Sequence, residues 1–88
     1  INLKVPEEVK FKIIDEVKTL INSSGYVLID IDGIRLENEN SWGLIRASNT
    51  SPNLVLRFEG KTESDLLEIK NYFKELLSKI EIDLKLDF

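Results

Sequence analysis

Cysteine, histidine and methionine are all missing from this 88-residue chain. Without cysteine there is no disulfide framework, and a reducing compartment is permitted. A cytoplasmic location is the expectation. Without cysteine and histidine together, the usual zinc, haem and Cys/His-nucleophile chemistries are excluded. Long hydrophobic runs are lacking too: no apolar stretch approaches the ~18–20 residues of a membrane-spanning helix. No stretch has the pattern of a signal peptide. Positive charge is in deficit, with 12 Lys and Arg against 16 Asp and Glu and a formal net charge of −4. A general affinity for nucleic acid comes from a basic surface, so this balance counts against one. A chain with no first methionine, opening on the extended Ile1-Asn2-Leu3-Lys4-Val5, is expected to be a piece of a longer protein.

What is present suffices for one domain with a modest core. The positive residues are unevenly placed. All nine lysines lie outside the stretch from Tyr26 to Glu59, and all three arginines, Arg35, Arg46 and Arg57, lie inside it. Lysine suits a solvated helix face, whereas arginine suits planar, bidentate recognition of an oxyanion.

Two helices and four strands are predicted. Val5-Pro6-Glu7-Glu8 opens a helix, with proline at its first position and acids at the positive end of its dipole. Val9, Ile13, Val17, Leu20 and Ile21 follow on one face, while Phe11 lies off that stripe. Asn22-Ser23-Ser24-Gly25 ends this helix. Asp32-Gly33, set between apolar alternations in residues 26 to 37, signals a β-hairpin. Trp42 to Ala47 and Leu54 to Glu59 are the third and fourth strands. Thr62-Glu63-Ser64-Asp65 resembles a capping box before a second helix, whose apolar face is Leu66, Ile69, Phe73, Leu76, Leu77 and Ile80. The tail from Glu81 to Phe88 alternates, as an edge strand or a docked arm would. The expectation is an α+β fold: a four-stranded antiparallel sheet with both helices on one face, in the order helix-strand-strand-strand-strand-helix.

Alternation then assigns faces. Leu54, Leu56 and Phe58 point to the core, so Arg57 points away. Ile45 and Ala47 are the better core pair, which sends Arg46 outward. Ile34 and Leu36 go inward and Arg35 outward. All three arginines thus fall on the face without helices. Beside them, Ser48-Asn49-Thr50-Ser51-Pro52 offers hydroxyl, amide and backbone donors in a short bend. Two readings follow from residue types. The bend and the arginines hold a phosphate dianion, or the bend is only a capped turn and the arginines pair with Glu37 and Glu59. Asp30-Ile31-Asp32 is read as a solvated turn rather than a metal site, because Mg2+ needs more oxygens. Ser48, with no nearby base, is read as a donor rather than a nucleophile.

The segments Asp32-Gly33-Ile34-Arg35, Trp42 to Pro52 and Leu54 to Glu59 closely resemble the C-terminal domain of the α-D-phosphohexomutases, in the phosphomannomutase/phosphoglucomutase branch. Ser48-Asn49-Thr50 stands where sister branches tend to have Ser-Gly-Thr. The resemblance runs from about Val5 to Ile80. It implies that residues 1–88 are the fourth domain of such an enzyme, with a fold like that of TATA-binding proteins. It implies that Arg46, Ser48, Asn49 and Thr50 bind the phosphate of a phosphosugar substrate, with Arg57 as a supporting partner. Arg35 matches a commonly basic position whose role stays open. The implied reaction is an intramolecular phosphoryl transfer between hexose 6-phosphate and hexose 1-phosphate, through a bisphosphosugar. The catalytic phosphoserine, the magnesium loop and the sugar-reading loop belong to the three preceding domains. Neither a catalytic residue nor a metal ligand is therefore expected here, and Mg2+ is expected on another domain. The rival reading is a non-catalytic nucleic-acid-binding or interaction module using the open sheet face. The acidic balance and a lack of exposed aromatics on that face count against it.

Overall fold

The computed structural model describes residues 1–21, 25–30 and 33–80. Five strands form one antiparallel sheet: β1 (Asn2–Lys4), β2 (Val27–Ile29), β3 (Ile34–Glu37), β4 (Ser41–Ala47) and β5 (Asn53–Gly60). Their spatial order is β1-β5-β4-β3-β2. A 3-10 turn, Glu7–Val9, leads into α1 (Lys10–Leu20), and α2 (Glu63–Ser78) follows the last strand.

The strand count corrects the expectation of four, and the chain begins with a strand rather than a helix. β1 adds to the outer edge of β5, pairing Asn2 with Val55, Leu3 with Leu54 and Lys4 with Asn53. The physical reason is the open row of backbone groups along β5, which is a template for a further strand. Val5 N–H donates to the Pro52 carbonyl at 2.9 Å, and Leu56 N–H to the Ile1 carbonyl at 2.9 Å. Leu3 and Val5 are buried as a result.

The predicted core faces hold. Ile34, Leu36, Ile45, Leu54 and Leu56 are fully buried, with Ile13 and Val17 from α1 and Ile69 and Phe73 from α2 in one cluster. Each such side chain contributes about 1.5–3 kcal/mol by leaving water. The cluster occupies one side of the sheet, so the alternate strand positions form an open face. Thr62 caps α2: its hydroxyl oxygen accepts from Asp65 N–H at 3.1 Å. The same hydroxyl donates to the Asp65 carboxylate at 3.0 Å, so aspartate engages the Thr62 side chain, whereas the acid of a full capping box accepts from the N-cap backbone N–H. Gly33, at φ +127°, brings the chain into β3 tightly against β4. A Cβ there would lie 2.7 Å from the Arg46 Cβ. The predicted stop at residues 22–24, the aspartate of the Asp32-Gly33 turn and the tail at 81–88 lie outside the described residues.

Candidate anion-binding site

Register places the three arginines on the open face. Arg46 lies opposite Val55, while Leu44 lies opposite Arg57 on one side and Arg35 on the other. Arg46 and Arg57 are therefore diagonal neighbours across β4 and β5, with side-chain origins ~7–8 Å apart. Both are exposed, whereas Arg35 is half-buried.

Their partners differ. The Arg35 Nε–H donates to a Glu37 carboxylate oxygen at 3.2 Å, and the guanidinium sits 4.4 Å from the centre of the Trp42 ring. The Trp42 Nε1–H donates in turn to Glu59 at 3.0 Å. Both acids that were candidate partners for the arginines are thereby engaged on Arg35 and Trp42. Among the described residues, neither Arg46 nor Arg57 has a carboxylate partner. Trp42 also qualifies the expectation of a face without aromatics: it stands there half-buried, covered by Arg35.

The bend after β4 is organised by its own polar groups. Ser48 N–H donates to the Asn53 carbonyl at 2.9 Å, closing the bend. The Asn53 side-chain amide donates to Ser51 Oγ at 2.9 Å. The Ser51 hydroxyl is 3.0 Å from Ser48 Oγ, and Thr50 N–H lies 3.4 Å from the same oxygen. With the chain of donors running Asn53 to Ser51 to Ser48, Ser48 Oγ accepts within the bend. Its own hydroxyl hydrogen is not used by these contacts. Asn49 and Thr50 are exposed at the tip. The structure thus brings Arg46, Ser48, Asn49 and Thr50 together at one end of the β4–β5 hairpin. Arg57 stands one side-chain step, ~7 Å, farther from the bend than Arg46.

Two anchors fix the bend from the core side. Pro52 accepts from Val5, as described above, and the Ser51 carbonyl accepts from Lys10 Nζ at 3.2 Å. Lys10 was not among the residues singled out in the sequence. The signal was there: Lys10, Ile13 and Val17 share helical spacing, so a charged residue falls on the apolar stripe. Among the described residues, no group of three or more His, Cys, Asp or Glu could hold a metal ion. Asp30 of the predicted solvated turn is ion-paired with Lys18.

Residues 1–76 match the family model described as "Phosphoglucomutase/phosphomannomutase, C-terminal domain". The chain belongs to this family. It is 44% identical, over its whole length, to the phosphomannomutase/phosphoglucomutase of Pseudomonas putida. It is 40% identical over 79 residues to the phosphoglucomutase of Neisseria meningitidis serogroup A, covering 88% of this chain. A phosphoglucomutase/phosphomannomutase family protein from Burkholderia thailandensis has a similar structure. The TM-score is 0.78 at 32% identity, covering 96% of this chain and 18% of that one. The chain spans 19% of the Pseudomonas putida relative and 17% of the Neisseria one. The α+β fold described above is thus similar to that of a phosphoglucomutase/phosphomannomutase family structure.

Proposed function

We propose that this chain is the substrate-phosphate-binding, fourth domain of a cytoplasmic phosphomannomutase/phosphoglucomutase. The whole enzyme interconverts hexose 6-phosphate and hexose 1-phosphate through a bisphosphosugar. One observation carries the reading. Among the described residues, two arginines without carboxylate partners flank a bend whose polar groups converge on Ser48 Oγ. Arg46, Ser48, Asn49 and Thr50 grip the phosphate dianion, and Arg57 supports them from the neighbouring strand.

The chemistry suits a group that stays put while another is transferred. The sugar must be held in either orientation, so the grip must read the phosphate rather than the ring. Charge-assisted hydrogen bonds, each ~1.5–3 kcal/mol, supply that grip. Binding energy from the non-reacting phosphate then positions the reacting one. Mg2+ belongs, on this reading, to another domain of the whole enzyme, and no step of this grip runs through it.

Titration of the labelled chain with inorganic phosphate tests the reading. Amide shifts should concentrate at Ser48, Asn49 and Thr50, and an unmoved bend would leave the domain a purely structural one. The rival nucleic-acid surface is disfavoured by Trp42, whose ring is covered by Arg35 and whose N–H is bound to Glu59.

A further inference from the structure

Lys10 is a charged side chain placed where the fold needs hydrocarbon. It is 2% exposed and ranks among the largest fully buried side chains, in line with Ile13 and Val17 on the core face of α1. Its ammonium group lies 3.2 Å from the Ser51 carbonyl and 2.8 Å from a Glu7 carboxylate oxygen. It also stands 5.3 Å from the centre of the Phe11 ring. Glu7 is 62% exposed, so this ion pair is one-sided, with the cation inside and the carboxylate in water. Burying a charge is costly, and an apolar isostere at such a place stabilises a fold as well or better. Core packing alone therefore gives no reason for lysine here.

Its contact with the bend does. Ser51 is the node of the bend. Its carbonyl accepts from Lys10 and from Asn53 N–H, while its hydroxyl links Asn53 to Ser48. A carbonyl drawn toward a buried cation is a carbonyl that does not face an incoming anion. Holding it fixes the curvature from which Ser48, Asn49 and Thr50 offer their donors.

We propose that Lys10 is a positioning residue for phosphate binding, a buried strut that sets the shape of the Ser48–Thr50 bend through the Ser51 carbonyl. The inference rests on the phosphate reading above, and its test separates the two. The chain and its Lys10→Met, Lys10→Arg and Arg46→Ala variants are titrated with inorganic phosphate by NMR, with thermal unfolding followed in parallel. Lys10→Met should stay folded with a melting temperature close to the parent's, yet bind phosphate about tenfold more weakly. Lys10→Arg, which keeps a buried donor, should recover part of that loss.

A merely structural lysine would give the opposite pattern, with melting lowered and affinity unchanged, and that would overturn the proposal. If Arg46→Ala weakens binding and Lys10→Met does not, the strut falls and the phosphate reading stands. If Arg46→Ala changes nothing, the phosphate reading itself falls. Should neither Lys10 variant fold, the unmodified chain still decides. Its Lys10 ammonium protons should exchange with solvent more slowly than those of exposed lysines, and more slowly again with phosphate bound. Exchange at the exposed rate, or with no response to phosphate, would overturn the proposal.

Discussion

Replacing Arg46 by alanine removes a guanidinium that stands beside the bend without a carboxylate partner among the described residues. In the full-length enzyme, kcat/KM should fall roughly a hundredfold, about 3 kcal/mol of transition-state binding. Arg57→Ala should cost less, on the order of tenfold, because that side chain starts ~7 Å farther from the bend. Steady-state kinetics with a hexose phosphate decide this, and a larger loss at Arg57 would move the centre of the grip. The directions of these arginines were legible in the sequence. Alternation in β3, β4 and β5 leaves one apolar face each, and no bulge disturbs the pairing from Ser41 to Ala47. Their partners were not legible. Glu37 and Glu59 sit near arginines in sequence, but the choice between Arg35, Trp42 and Arg57 is made by side-chain packing across strands. Lys10 escaped for a related reason. Lysine is by default a surface residue, and one of the two partners of its ammonium, the Ser51 carbonyl, comes from a bend distant in sequence.

Among the elements, α2 and the central strands set the stability that the site relies on. Thr62→Ala removes the cap that satisfies Asp65 N–H, and should lower unfolding free energy by about 1 kcal/mol in denaturant titration. Gly43 makes room on β4 for α2: a Cβ there would lie 2.7 Å from Phe73 Cε1 and 3.0 Å from Ile69 and Phe58. Gly43→Ala should therefore destabilise by about 1–3 kcal/mol through overpacking, and an unchanged midpoint would show that the Phe58–Phe73 edge contact yields freely.

Tyr26, packed edge-on against Tyr72 at 5.2 Å, holds its proton above the ordinary tyrosine range because of burial first and the Glu68 charge second. A raised folded-state value means that stability is intact below pH ~10 and is lost as pH rises through the folded value. Unfolding midpoints should fall over that alkaline window, and Tyr26→Phe should flatten the fall. The helices and β3 to β5 were readable because each carries a periodic apolar face over several turns or pairs. β1 was not assigned to the sheet because three residues carry too little periodicity, and its evidence is the vacant edge of β5.

At the scale of the whole molecule, a single core cluster supports the sheet and both helices. No helix among the described residues is long and apolar enough to cross a membrane. As a domain spanning 19% of a full-length relative, the chain should fold and bind phosphate, yet show no mutase turnover. A coupled assay giving turnover above background would mean that the catalytic groups are not all elsewhere. The first strand and the bend meet at the Val5–Pro52 hydrogen bond, with Lys10 only a turn further along. Mechanically, the selvedge of this sheet is also the tether of its polar bend. Tension that peeled the opening strand from its neighbour would slacken the bend and draw Leu3 and Val5 out of the hydrophobic interior in the same step.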